Sequence, residues 1–141
     1  MHVKTLASTE QTVQFAVTET DYTMHLKLER QTSDLLIQII GGDVPHYGVI
    51  TTVDKTGKAL TTALPSRPGH VHQEKVLIDQ VLKTVKPLIT NNAVLVSGMH
   101  VNEITPAQMR AAMLMAHELG VALAKWLKAH PDQTQVVTYA K

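Results

Sequence analysis

The chain has 141 residues, 44% of them hydrophobic and 18% charged, a balance that excludes disorder over most of its length and suits one domain spanning residues 1–141. Thirteen basic side chains against twelve acidic ones leave a formal net charge of +1, and only 4% of residues are aromatic, so neither an electrostatic footprint nor a base-stacking platform for nucleic acid is present. No cysteine occurs, which removes disulfides, thiolate catalysis and cysteine-ligated zinc. The first residues lack the apolar core of a signal peptide and no apolar run is long enough to span a bilayer, so a cytoplasmic protein without a membrane partner is expected.

From Val13 to about Leu64 the hydrophobic period is mostly two, the signature of strands with one buried face. Val13, Phe15 and Val17 mark a first strand. Tyr22, Met24, Leu26 and Leu28, alternating with Thr23, His25, Lys27 and Glu29, mark a second. Leu35–Ile40 is apolar on both faces apart from Gln38 and reads as a central strand. Tyr47 to Val53 and Ala59 to Leu64 form a further pair, joined by Asp54-Lys55-Thr56-Gly57-Lys58 with the chemistry of a turn. After Pro65-Ser66-Arg67-Pro68-Gly69 the period becomes helical, with Leu77, Val81, Val85 and Leu88 on one stripe and Pro87 set to kink or end the helix. Ala93–Ser97 is a short buried strand. Thr105-Pro106-Ala107-Gln108 is a capping box with proline at the first helical position, opening a long amphipathic helix through Met109, Ala112, Met113, Ala116, Leu119, Leu123 and Trp126. Gln135–Tyr139 reads as an edge strand or a loose tail. Strands first and helices later predict an α+β fold, a mostly antiparallel sheet of about five to seven strands with two main helices on one face.

Three glycine- and histidine-bearing segments hold the candidate chemistry. Gly41-Gly42-Asp43-Val44-Pro45-His46 lies between two strands and reads first as a tight turn, and compatibly as a cradle in which amides near the glycines approach an anion while Asp43 and His46 add directed bonds. Gly69-His70-Val71-His72-Gln73-Glu74 precedes the first helix; His70 and His72 share a face only if the segment is extended, and the forked donors of Arg67 suit a phosphate. Ser97-Gly98-Met99-His100-Val101-Asn102 joins a buried strand to the start of the long helix, where backbone amides and the helix dipole favour an anion and His100 and Asn102 offer side-chain bonds. His25 and His117 are expected on wet surfaces, and the methionines at 99, 109, 113 and 115 as adaptable core or subunit contact. Signatures of P-loops, dinucleotide folds, serine hydrolases and zincins are missing.

The run Ile39-Ile40-Gly41-Gly42-Asp43-Val44-Pro45-His46-Tyr47-Gly48-Val49, then Gly69-His70, then Val96-Ser97-Gly98-Met99-His100-Val101, then Ile104-Thr105 before a helix, resembles the prenylated-flavin chaperone (LpdD-like) family over roughly residues 12 to 128. The chain departs from that pattern where Val71-His72-Gln73 stand between the Gly-His pair and Glu74, and where Val101-Asn102-Glu103 follows His100. The resemblance implies a non-catalytic carrier of prenylated FMN, in its reduced form, that assists a UbiD-type (gallate-type) decarboxylase and draws its cargo from a flavin prenyltransferase. It implies a site lined by Gly41, Gly42, Asp43, His46, Gly69, His70, Gly98 and His100, to which the residues' own chemistry adds Tyr47 as ring cover, Arg67 and Asn102. A homo-oligomer would help so small a domain enclose the ligand. Two other readings stand beside it: a metal-dependent enzyme using His46, His70, His72 and His100 with Asp43 or Glu74, and a structural accessory subunit that binds no ligand.

Overall fold

A computed structural model describes all residues from Met1 to Lys141. In chain order the elements are β1 (Val3–Ser8), β2 (Thr12–Glu19), β3 (Tyr22–Gln31), β4 (Asp34–Gly42), β5 (Val49–Val53), β6 (Ala59–Ala63), α1 (Lys75–Val85), β7 (Ala93–His100) and α2 (Pro106–Ala129). A single 3-10 turn, Lys86–Leu88, follows α1 where Pro87 cannot donate to the preceding turn. The strands form one seven-stranded sheet in the order β1-β2-β3-β4-β7-β5-β6, antiparallel throughout except for the parallel pair β4–β7. The α+β architecture expected from the sequence is the one observed.

The register explains how one face closes. Val17 pairs with Met24, Phe15 with Leu26 and Val13 with Leu28, and Leu28 and Leu26 pair onward with Ile37 and Ile39. Across the parallel pair Ile37 meets Leu95 and Ile39 meets Ser97, which in turn meet Thr51 and Val49. Directly paired residues share a face, so the period-two pattern of five strands sums to one continuous apolar surface. Leu77, Ile78, Val81 and Val85 of α1, with Met115, Ala116, Leu119 and Leu123 of α2, are buried in the same core. The helices pack on each other and touch different strands, α1 reaching β5 and β7, and α2 reaching β1, β2 and β3. The long helix starts as expected: Thr105 Oγ1 accepts from Gln108 N at 3.1 Å while Gln108 Oε1 accepts from Thr105 N at 2.9 Å.

One element, at the N-terminus, differs from the reading of the sequence. The N-terminal segment is a strand, β1, almost wholly exposed and paired only with β2; with neither face buried it had no reason to alternate. Residues 131–141 form neither helix nor strand. Where β1 ends, Trp126 Nε1 donates to Ser8 Oγ at 3.0 Å. Arg30, buried on β3, engages all three guanidinium nitrogens there: Nε donates to Gln11 Oε1, Nη2 to Glu10 O and Nη1 to His130 O, with the guanidinium 5.2 Å from the centre of the Trp126 ring. That single cation ties the β1–β2 turn to the end of α2.

At the other end of α2, the Tyr22 hydroxyl donates to Gln108 O at 2.8 Å, and burial pushes its phenol up to about 12. An unfolded tyrosine ionises near 10, so the folded state keeps the proton longer. This contribution is complete below about pH 10 and is lost as pH rises through about 12. Tyr22→Phe is expected to cost about 1 kcal/mol at neutral pH and to flatten the alkaline decline, read by denaturant unfolding at a series of pH values.

Candidate functional site

The three glycine-histidine segments meet because β4 and β7 run parallel. Parallel neighbours end on the same side of a sheet, and the register sets Gly41 opposite Met99 and Gly42 opposite His100. The backbones then approach too closely for any side chain. Gly42 has φ +80°, and a Cβ built on it would lie 2.2 Å from His100 O. A Cβ on Gly98 would lie 1.7 Å from His46 O. Amides 43 and 44 both donate to His100 O, at 2.6 and 3.2 Å, and Asp43 Oδ2 accepts from Asn102 N at 2.8 Å. His100 Nε2 sits 3.0 Å from Asn102 Oδ1. Gly42, Asp43, His100 and Asn102 thus form one knot between two strand ends, and the Asp43 carboxylate is engaged in it.

The second segment is brought in by backbone bonds. Gly48 N donates to Ser97 O, Leu64 N to Gly48 O and His72 N to Leu64 O, while Pro65 and Val71 form a β-bridge. At the tip of this loop His70 N donates to Arg67 O, with Pro68 second and Gly69 (φ +78°) third, the arrangement of a type II turn. Arg67, Gly69 and His70 are exposed on that tip. Beyond it the chain turns inward and carries His72 and Glu74 to His46. His46 Nε2 lies 2.8 Å and His72 Nδ1 3.5 Å from Glu74 Oε1, and the two imidazole centroids are 4.6 Å apart. The second nitrogen of His46, Nδ1, is 2.9 Å from Val44 O. Glu74 stands at the N-cap position of α1 without capping it, and its Oε2 is buried with no partner. Ser97 Oγ, itself fully buried, donates to Glu74 O at 2.9 Å. Gly48 leaves room for the pair, since a Cβ there would lie 2.7 Å from the His72 ring and 3.1 Å from Glu74 Oε2.

A groove of about 580 Å³ opens over this cluster, between the 66–74 loop, the end of β7 and the first turns of both helices. His46, His72, Glu74 and His100 form its polar side. Met99, Met109, Met113, Val71, Ile104 and Leu77 supply apolar walls, and Ser66 and Arg110 complete the rim. Of the residues expected to line a flavin site, His46 and His100 reach this groove, with Gly42, Asp43, Gly98 and Asn102 packed beside them. Tyr47 does not: it is 62% exposed, donates to Gln38 Oε1 at 3.2 Å, and faces a separate cleft of about 370 Å³ on the open side of the sheet with Gln14, His25 and Lys27. Gly41 packs against Thr23 and Met24 in the neighbouring strand. Of the histidines weighed as metal ligands, His46 and His72 converge with Glu74, whereas His70 and His100 do not join them. Arg110 was not foreseen. Its signal was position, a cation on the first turns of α2 between Met109 and Met113, which share its face of the helix.

The sequence matches the prenylated flavin chaperone LpdD-like domain over residues 18–128. It is 32% identical over 125 residues to Protein LpdD of Lactiplantibacillus plantarum, an alignment covering 89% of this chain and 92% of that protein. A solved chaperone complex for yeast 20S proteasome assembly aligns over 89% of this chain and 98% of its own at 10% identity and a TM-score of 0.41, too distant a likeness to carry an argument.

The glycines can be tested directly. Gly98→Ala forces β7 and the His46 backbone apart and is expected to cost about 3 kcal/mol or more, the upper range for overpacking. Gly57→Ala, which meets nothing within 4 Å but has φ +89°, is expected to cost only about 1 kcal/mol. Urea midpoints of the two variants give the comparison.

Proposed function

The chain belongs to the prenylated flavin chaperone LpdD-like family, and from that membership we propose that the groove above His46, His72 and His100 holds prenylated FMN in its reduced form for delivery to a UbiD-type decarboxylase. The observation that carries this reading is the composition of the groove. Its volume falls within the range of about 300–1,000 Å³ usual for small-molecule sites. Three methionines offer soft, polarizable surface to a flat ring system. Imidazoles at one side can bond ring-edge oxygen and nitrogen, and Arg110 forms no ion pair of its own, so its forked donors are free for a phosphate. The residues present therefore fit the group. Arg110 takes the role that the sequence had given to Arg67, and the glycines serve by placing His46 and His100.

The groove is wide and its rim exposed, with Met109 56% accessible, as a carrier that must release its cargo requires. The reading is of a binding protein and not a catalyst: the redox and addition chemistry belongs to the flavin and is used in the decarboxylase, while this chain binds the ring and limits its contact with water. A flavin prenyltransferase would supply the cargo, and a second copy of the chain would enlarge the enclosure. No helix is long and apolar enough to cross a membrane, consistent with a role among cytoplasmic enzymes.

Native mass spectrometry after anaerobic coexpression with a flavin prenyltransferase is expected to show the prenylated flavin retained. Arg110→Ala and His100→Ala are each expected to weaken retention about tenfold, the loss of one charge-assisted or neutral hydrogen bond in a partly open site. Absence of retained flavin in the parent protein contradicts the reading, and undiminished retention in both variants contradicts the placement.

A further inference from the structure

We propose that His46, His72 and Glu74 bind one divalent transition-metal ion of the zinc class. The three donors come from two loops that are distant in sequence, and their ligating atoms all lie within 4.8 Å of one another. Around a tetrahedral ion with bonds near 2.0–2.1 Å the ligand atoms are separated by about 3.3 Å. The two separations from Glu74 Oε1 bracket that value, at 2.8 Å for His46 Nε2 and 3.5 Å for His72 Nδ1. Along these two edges, shifts of about half an ångström or less would reach that spacing.

The surroundings are arranged as an outer shell. Val44 O lies 2.9 Å from His46 Nδ1, so with an ion on Nε2 the ring would keep its remaining proton on Nδ1 and donate it to that carbonyl. The Glu74 backbone is pinned by the buried Ser97 hydroxyl. Its carboxylate forgoes the capping role that its position at the start of α1 offers, and leaves Oε2 buried and unpartnered. A buried carboxylate oxygen without a donor is costly, and an ion held by both carboxylate oxygens would engage it. Two imidazoles and one carboxylate, with no thiolate, suit zinc, iron(II), cobalt(II) or manganese(II). Three protein ligands leave a coordination position free, and because all three residues line the groove, that position is reached from the groove. An anionic oxygen of whatever the groove holds is the matching ligand class.

This inference does not rest on the flavin reading, and its test omits flavin. The chain without a histidine tag, stripped with chelator and desalted, is dialysed against zinc(II) alone or cobalt(II) alone. One ion per chain is expected, with visible cobalt absorption. Glu74→Gln and His72→Ala, each checked for native circular dichroism, are expected to weaken binding by about tenfold or more, while His70→Ala on the exposed loop tip leaves it unchanged. Substoichiometric binding to the parent chain, or binding undiminished in both Glu74→Gln and His72→Ala, overturns the site and leaves a simple His–Glu hydrogen-bonded cluster.

Discussion

The structure turns on the parallel pairing of β4 with β7. The other neighbours in the sheet run antiparallel, as hairpins except for β5 beside β7. This one pair joins residues some sixty positions apart and sets their strand ends side by side. Everything at the site follows from it. Once Gly42 lies against His100 and Gly98 against His46, neither glycine position can carry a side chain. The chain leaving β4 must pass directly over β7, which fixes His46, and the chain leaving β7 is knotted to Asp43 before it enters α2. The same strand also receives β5 on its other edge, and through Gly48 and Leu64 that edge draws in the loop carrying His72 and Glu74.

This changes what the glycines mean. As sequence, the Gly41–His46 segment allowed two readings, a turn or an anion cradle of backbone amides. In the fold the amides near Gly42 are already spent on His100 O. The glycines act by permitting close approach, and the groove is lined by the side chains that this approach aligns. Packing therefore comes before recognition: a substitution at Gly98 acts on the backbone first and on any ligand only as a consequence.

The fold was legible because five strands and two helices carry clear periods, and because the capping box at Thr105 and the proline at 87 mark helix ends by local chemistry. β1 was not legible, since an exposed edge strand has no apolar alternation to show. The site was half legible. Asp43, His46, Gly98, His100 and Asn102 stood out by residue type, and all lie at one end of the sheet. Which of His70 and His72 turns inward depends on the Pro65–Val71 bridge, a tertiary contact with no local signature. Met109 and Met113 sat on a stripe that reads as core, and only the absence of a covering element at the start of α2 leaves them at the groove.

Six methionines occur in the chain, and they sort the account cleanly. Met99, Met109 and Met113 line the groove, Met24 and Met115 are buried in the core, and Met1 is exposed at the N-terminus. Methyl-labelled methionine NMR during anaerobic titration with reduced prenylated FMN tests the central claim, that this groove is where the flavin sits. The account predicts large shifts for Met99, Met109 and Met113, with Met1 unmoved and Met24 little affected. Flavin binding that leaves those three methyl signals in place would contradict it.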